Sequence, residues 1–288
     1  MSDKIKFIVD DLANYSGDLL SFSDYILYLP KKIELNGTPI ETQPSYSSDF
    51  LNAVENGYRI NSALMESERY QSILEGFLAD YPDYDFIYVK PWTCTVFNSD
   101  IENAVSIMSE LNSTNNNRIH IFSSDSFGPA LHFIILNLIK QYINNELSVN
   151  DLETLFEDLN SNTYLYISVY EKFLARRHKW VSSEDLNNSR FLFKFKNREK
   201  QYFGFTGEPH DFFKFCAQTL SEDLNSLKNS YAIIASAYLQ GTMAEECETS
   251  KAFLLQLLSN HDSLSIHSTS QSNYAINYDG EALSIYTK

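Results

Sequence analysis

The chain of 288 residues carries 38 acidic and 22 basic side chains, which give a formal net charge of −16. Hydrophobic residues make up 43% and include 20 Phe and 19 Tyr, so the composition excludes a disordered chain. The negative balance disfavours a general nucleic-acid-binding protein, because the field of the whole molecule repels phosphate. Chains beyond ~250 residues usually divide their core, which predicts two domains or one large α/β unit.

We expect neither a signal peptide nor a segment inserted in a membrane. Acidic residues at positions 3, 10 and 11 interrupt any apolar run at the start of the chain. The longest apolar stretch, residues 127–139, is shorter than the ~20 residues that cross a bilayer. The three cysteines form no CxxC pair and no disulfide framework. These features favour a reducing compartment, with a bacterial-type cytoplasm as the expected location.

Strands and helices alternate through the first 160 residues. Residues 4–9 predict a strand that ends in Asp10 and Asp11, and a later strand runs into Asn36-Gly37, a strong hairpin signal. In chain order, the predicted elements are strands at 4–9, 25–29 and 32–35, helices at 48–57 and 67–79, a strand at 85–89, a helix at 100–111, a strand at 118–122, and helices at 130–142 and 148–159. This alternation is typical of βαβ units around a parallel sheet.

The pattern changes near residue 160, where we place a domain boundary. The later predicted elements are strands at 164–169, 190–195 and 201–205, a helix at 210–224, a strand at 231–239, a helix at 244–258, and strand-like runs at 274–278 and 283–286. The sequence therefore predicts an α/β protein of two domains. Residues 1–160 form an N-terminal domain with a parallel sheet, and residues 161–288 form a C-terminal mixed α/β domain.

The chain contains no motif that predicts catalysis or a cofactor. It has no glycine-rich phosphate loop and no nucleophile elbow. Cys94 follows a predicted strand, but no base is readable beside it, so a buried core thiol is favoured over a nucleophile. Asp10 and Asp11 follow the first strand and either cap a helix or hold a cation or a ribose. We expect no catalytic residue and no cofactor.

Two groups of potential metal ligands lack a recognised spacing. One group contains two histidines and an aspartate. The other lies on a predicted helix, where its glutamates are expected to face solvent. The two groups are His261, Asp262 and His267, and Glu245, Glu246 and Cys247. We therefore predict no metal site.

Positive charge is concentrated between residues 172 and 200. This window carries a net charge of +6, whereas the rest of the chain carries −22. Alternating residues around Lys194 and Lys196 project part of this charge from one side of a predicted strand. The window is either a solvated surface or a docking face for an acidic partner or a phosphate.

Several segments occupy the positions of motifs in one known family. Residues 8–13 read IVDDLA where the family has a strand and Thr-Asp-Ser, and residues 61–64 read NSAL at its Thr-Ser-Gln-Pro segment. Residues 97–104 read FNSDIENA at its Leu-Ser-Gly-Thr-Tyr-x-Ser-Ala segment, and 277–282 read NYDGEA at its closing His-x-Gly-Pro-Gly-Ala. The match runs nearly end to end. The chain resembles the DegV family, two-domain α/β proteins that bind a long-chain fatty acid between their domains.

The resemblance implies a non-catalytic lipid-binding protein. Some members of the family are fatty-acid-binding subunits of fatty acid kinase, so a kinase-like partner to which the lipid is presented is also implied. In the family a Thr, a Ser and a His hold the fatty-acid carboxylate. The corresponding positions here, together with the serines that follow two of them, are Asn61, Ser62, Asn98, Ser99 and Asn277, which we take as the predicted ligand-binding residues.

The three asparagines change the chemistry of the head-group site. Each amide offers two N–H donors and one acceptor, so it can hold a carboxylate or a neutral head group. Replacement of the histidine by Asn277 predicts binding that is nearly independent of pH between 5.5 and 8. Two alternatives stay open: a divergent member that acts as an interaction or regulatory module without lipid, and, less favoured, a doubly wound enzyme that uses Cys94, Asp10 or Asp11.

Overall fold

The computed structural model describes residues 4–13, 17–43, 60–92, 98–169, 190–208, 211–224, 231–237 and 265–269. These residues divide into two compact units, one that extends to Asn160 and one that begins at Ser161. Each unit has its own central sheet. Among the described residues, none of the helices combines the length and the apolar character needed to span a membrane.

In its described residues, the first unit contains seven strands, four α-helices and two 3-10 helices. The 3-10 helices are Asp11–Ala13 and Gly17–Tyr25. The other elements are β1 (Ile5–Asp10), β2 (Ile26–Leu29), β3 (Lys32–Leu35), β4 (Thr38–Glu41), β5 (Ile60–Ala63), α1 (Ser67–Asp80), β6 (Asp85–Lys90), α2 (Asn98–Thr114), β7 (Ile119–Ser123), α3 (Gly128–Asn145) and α4 (Val149–Asn162). The last helix runs across the junction with the second unit.

A four-stranded parallel sheet of order β2-β1-β6-β7 forms the centre of this unit. All six residues of β1 are buried, as expected for a central parallel strand that is covered on both faces. Side chains alternate between the faces. Ile8 packs with Leu74 of α1 and Met108 of α2 on one face, whereas Phe7 contacts Tyr142 of α3 on the other. The predicted α/β class with a parallel sheet is confirmed.

A small antiparallel sheet of order β4-β3-β5 adjoins the connection that leaves β2. The turn between β3 and β4 places Asn36 at φ 51° and Gly37 at φ 80°. Two residues with positive φ are the signature of the tight hairpin turn that the Asn-Gly pair predicts. In contrast, β5 is not predicted from the sequence, because it is short and polar and becomes a strand by pairing with β3.

The second unit is built on a mixed five-stranded sheet of order β10-β9-β8-β11-β12. Strands β8, β11 and β12 are parallel, and β9 is antiparallel to both β8 and β10. The elements are β8 (Thr163–Val169), β9 (Arg190–Lys196), β10 (Glu199–Phe205), α5 (Asp211–Leu224), β11 (Tyr231–Ala237) and β12 (Ser265–Thr269). The apolar side of β9 is fully buried, and Phe205 packs on Phe212 and Phe215 of α5.

Most of the predicted elements coincide with observed ones to within three residues at each end. The largest differences are at α2, α3 and β10, which begin two residues earlier than predicted, and at α2, α3 and α4, which each end three residues later. The predicted helices at 48–57 and 244–258 and the closing runs at 274–278 and 283–286 lie outside the described residues. Besides β5, the strand β12 and both 3-10 helices have no counterpart in the prediction.

Candidate functional site

Three charged side chains meet at the carboxyl end of the parallel sheet in the first unit. Asp10 is the last residue of β1, Lys31 lies two residues beyond β2, and Asp100 lies in the first turn of α2. Their exposed fractions are 1%, 2% and 2%, so all three are buried. In open α/β folds the carboxyl ends of parallel strands are the usual place for a ligand.

Lys31 joins the two carboxylates. Its Nζ lies 2.8 Å from Oδ2 of Asp100 and 3.7 Å from Oδ2 of Asp10. The Tyr88 hydroxyl donates to Asp10 Oδ2 at 2.8 Å, and the Tyr70 hydroxyl donates to Asp100 Oδ2 at 2.6 Å. We call these five residues, Asp10, Lys31, Tyr70, Tyr88 and Asp100, the Lys31 cluster.

Burial and charge together fix the protonation states in the Lys31 cluster. Burial by itself lowers the pKa of Lys31, but the nearby Asp10 and Asp100 outweigh that effect, so the pKa is raised and the ammonium stays charged. Burial raises the pKa of Tyr70 and of Tyr88, so both stay neutral and donate hydrogen bonds. An ammonium ion without partners would cost several kcal/mol to bury, and the two carboxylates offset that cost.

A second polar group adjoins the cluster around Asp11. The Tyr28 hydroxyl donates to Asp11 Oδ1 and lies 2.8 Å from Thr42 Oγ1, which also accepts the Lys31 backbone N–H at 2.8 Å. Asp11 Oδ2 is buried and has no hydrogen-bond partner in the described part of the chain. Burial raises the pKa of Asp11 to about 6, although hydrogen bonds from Thr42 and Tyr28 oppose the change. This carboxyl group therefore exchanges a proton near neutral pH.

Asp10 performs the capping role expected from the sequence. Its Oδ1 accepts the backbone N–H of Leu12 at 2.9 Å, at the start of the first 3-10 helix. Its other oxygen, Oδ2, makes the contacts with Tyr88 and Lys31 described above. In the described part of the chain, no group of three or more His, Cys, Asp and Glu side chains is arranged to hold a metal ion. Cys94 lies outside the described ranges. Each of the two groups of potential metal ligands in the C-terminal half also includes residues outside them.

The predicted ligand-binding residues fall on two backbone segments of the first unit. Asn61 and Ser62 lie in β5, in register with Glu34 and Ile33 of β3. Asn98 and Ser99 are the first two residues of α2, and Ser99 is exposed. Asn277 lies outside the described residues.

A hydrogen bond joins the two predicted segments through the Lys31 cluster. The backbone N–H of Met65 donates to Asp100 Oδ1 at 3.2 Å. Met65 lies two residues after the end of β5, and Asp100 lies two residues after the start of α2. The backbone segments that carry residues 61–62 and 98–99 are therefore held at the same end of the sheet. A shared head-group site for Asn61 and Asn98 stays a prediction.

Apart from Asp10, the sequence does not single out the residues that build the cluster. Lys31, Tyr70, Tyr88 and Asp100 lie in or between different predicted elements, and they follow no motif spacing. A lysine between two short apolar strands is the one available signal, and it reads equally well as a surface residue. Only the fold brings these side chains together.

The fold of this chain is similar to the fold of solved DegV structures. Three solved structures illustrate the likeness. A stearic acid-binding protein from Eubacterium ventriosum superposes with a TM-score of 0.72 at 12% identity, over 96% of this chain and 94% of that one. A fatty-acid-binding DegV family protein from Thermus thermophilus gives a TM-score of 0.68 at 11% identity, over 96% and 95%.

DegV from Bacillus subtilis, named as a fatty acid binding protein, gives a TM-score of 0.64 at 14% identity, over 94% of this chain and 96% of that one. No protein-family model and no curated protein sequence matches the chain. The resemblance inferred from the sequence is thus confirmed at the level of the fold. The names of these three neighbours describe binding of a fatty acid rather than catalysis.

Proposed function

We propose that the protein is a non-catalytic carrier of a long-chain fatty acid, which it presents to a kinase-like partner in the cytoplasm. The observation that supports this proposal best is the likeness to DegV structures over 96% of the chain. Neighbouring structures are named for stearic, vaccenic and heptadecanoic acid, which share a long unbranched chain and a carboxylate. The common chemistry favours a fatty acid as the ligand here.

The proposed head-group site uses amides in place of the family's hydroxyl and imidazole groups. Asn61, Asn98 and Asn277 are the proposed N–H donors to the carboxylate, and Ser99 is the proposed hydroxyl donor. The first turn of α2 contributes backbone N–H groups and the positive end of the helix dipole, both of which favour an anion. A carboxylate can therefore be bound without a formally charged partner.

The chemistry of the described polar residues supports binding rather than catalysis. Lys31 is held as a paired ammonium ion, so it is neither a base nor a nucleophile. Burial raises the pKa of the Cys216 thiol, which keeps it in its unreactive form. These groups stabilise a fold, and the proposal assigns no chemical step to them.

Substitution of the head-group asparagines tests the proposal. The delipidated protein is titrated with a fluorescent C16 fatty acid, and the double variant Asn61→Ala/Asn98→Ala should bind at least about tenfold more weakly, because hydrogen bonds to a charged group contribute ~1.5–3 kcal/mol each. Asn150→Ala, at an exposed position of α4, is the matched control and should bind like the wild type. Equal affinity of the double variant would remove these residues from the site.

The pH profile of the same titration tests the role assigned to Asn277. With no histidine at the head group, affinity should change by less than about threefold between pH 5.5 and 8. Asp11 titrates within this range, so the profile is repeated in Asp11→Asn and should be equally flat. A tenfold loss of affinity toward pH 8 in both proteins would show that an unassigned histidine lines the site.

A further inference from the structure

We propose that Lys31 and Asp100 are positioning residues for the head-group site, and that their ion pair sets the preference of the protein for a carboxylate over a neutral head group. This inference rests on the proposed function and deepens it. Neither residue contacts the lipid. They act by fixing the first turn of α2 against the segment that follows β5, and the proposed donors lie on these two pieces of backbone.

The carboxylate of Asp100 accepts hydrogen bonds from three separate parts of the first unit. Oδ2 accepts from Lys31 Nζ at 2.8 Å and from the Tyr70 hydroxyl at 2.6 Å, and Oδ1 accepts from the Met65 backbone at 3.2 Å. Lys31 comes from the β2–β3 connection, Tyr70 from α1 and Met65 from the segment after β5. With these donors in place, Asp100 serves as a junction between elements rather than as a ligand contact.

Burial of the Lys31–Asp100 ion pair costs more desolvation free energy than burial of apolar side chains, which indicates a geometric role for the pair. Burying two charges costs free energy, and an apolar pair of similar volume is often as stable or more stable. An apolar pair, however, would not fix the direction in which the first turn of α2 points. The hydrogen bonds of Asp100 have preferred distances and angles, so they restrict α2 and Met65 to one mutual arrangement.

The chain distance from this junction to the proposed donors is short. Asn98 and Ser99 are the two residues before Asp100, in the same helical turn. Asn61 precedes Met65 by four residues, at most ~13 Å of extended chain. A change at the junction therefore moves both sets of donors relative to each other. It should weaken recognition of the carboxylate and leave recognition of the acyl chain unchanged.

Four variants separate positioning from stability. Lys31→Met removes the ammonium ion and leaves two buried carboxylates, so it should be the least stable. Lys31→Met/Asp100→Asn removes both charges of the pair and should recover part of the lost thermal stability. Tyr70→Phe removes one donor to Asp100 and keeps the ring in the core, which makes it the mildest change. Leu152→Ala, in the buried face of α4 outside the cluster, is a control that lowers stability alone.

The readout is the ratio of the dissociation constants for a C16 methyl ester and for the free C16 acid, measured beside the melting temperature. The ratio should fall at least about tenfold in the double variant despite its recovered melting temperature, and about threefold or more in Tyr70→Phe. Leu152→Ala should melt at a lower temperature with an unchanged ratio.

Two results would overturn the inference while fatty-acid binding stands. One is a wild-type ratio in both the double variant and Tyr70→Phe, and the other is an equal fall of the ratio in Leu152→Ala. A wild-type protein that binds neither lipid would instead overturn the proposed function, and this inference with it.

Discussion

At the scale of single residues, Asp11 has the environment with the clearest consequence for stability. Its pKa is raised by burial to about 6 in the folded protein, whereas an exposed aspartate titrates near 3.8. A raised carboxyl pKa stabilises the folded state fully below pH 3.8, and this contribution is lost as the pH rises through 6. At pH 7.5 the native protein therefore holds a buried carboxylate, one oxygen of which has no hydrogen-bond partner among the described residues. The stability of the wild type should decline across this range for that reason.

Replacement of Asp11 by asparagine removes this titration. The free energy of unfolding of Asp11→Asn, relative to wild type, should increase by about 1 kcal/mol or more between pH 5 and pH 7.5, because only the wild type loses the contribution. Urea denaturation at the two pH values measures the change. Asp83→Asn, at an exposed turn position, should show no such trend. A difference between Asp11→Asn and wild type that stays constant with pH would mean that Asp11 is solvated.

At the scale of elements, the start of α4 contains a reciprocal cap. Ser148 precedes the helix, and its Oγ lies 3.3 Å from the Asp151 backbone N–H, which donates to it. Asp151 Oδ2 in turn accepts from the Ser148 backbone N–H at 3.0 Å and from its hydroxyl at 2.6 Å. These hydrogen bonds lower the pKa of Asp151. The arrangement satisfies donors that the first helical turn leaves free.

Removal of this cap should have a measurable cost. Ser148→Ala should lower the free energy of unfolding by about 1 kcal/mol, the typical effect of losing a helix N-cap. Ser109→Ala is the control, because Ser109 is exposed within α2 and bonds only to a carbonyl one turn earlier. That variant should lie within about 0.5 kcal/mol of wild type, since alanine is the better helix former. Equal effects of the two variants in thermal or urea unfolding would contradict the capping argument.

The elements that the sequence predicts best are those specified by local signals. The α3 helix begins with Gly128-Pro129, where proline suits the first helical turn. The β3–β4 hairpin follows from Asn36-Gly37, because its turn needs residues that tolerate positive φ. In contrast, β5 exists because β3 offers it a partner, and its own residues carry no strand pattern. Long-range pairing of this kind cannot be derived from a local window.

In the candidate site, too, the sequence predicts local contacts but not contacts between distant residues. Asp10 is predictable as a cap because its partner, Leu12, is two residues away. Lys31 and Asp100 are 69 residues apart, and their pairing depends on the parallel order of β1 and β2 and on the placement of α2. The ligand-binding residues come from resemblance to the DegV family rather than from their own chemistry, because an asparagine by itself does not indicate a ligand.

At the scale of the whole molecule, charge is distributed unevenly. Residues 172–200 carry +6 on a chain whose remainder carries −22. In the described part of this window, Lys194 and Lys196 place their Nζ atoms 5.1 Å and 4.4 Å from the ring centre of Tyr164, and Arg198 and Lys200 are exposed. Arg190 is half-buried in β9, and the other four basic residues of the window lie outside the described ranges. We propose that this window docks an acidic partner or a phosphate.

Reversal of charge tests the docking proposal. The triple variant Arg176→Glu/Arg177→Glu/Lys179→Glu should associate at least about tenfold more slowly with a candidate kinase-like partner, because steering between opposite charges mainly raises the association rate. The rate for wild type should fall steeply as salt is raised, since exposed charges are screened beyond ~10 Å at 0.1 M. Lys140→Glu, on α3 of the first unit, is the control and should keep the wild-type rate. A triple variant that associates at the wild-type rate with every candidate would show that the window is only a solvated surface.

The central claim is that this chain carries a long-chain fatty acid. The most direct measurement is mass spectrometry of the purified recombinant protein, first under native conditions and then after denaturation and extraction with organic solvent. The proposal predicts a native mass above that of the polypeptide by one fatty acid, and an extract that contains C16–C18 acids in about one equivalent per chain. Lipid-free protein that also fails to take up added fatty acid would contradict the claim and favour an interaction module without lipid.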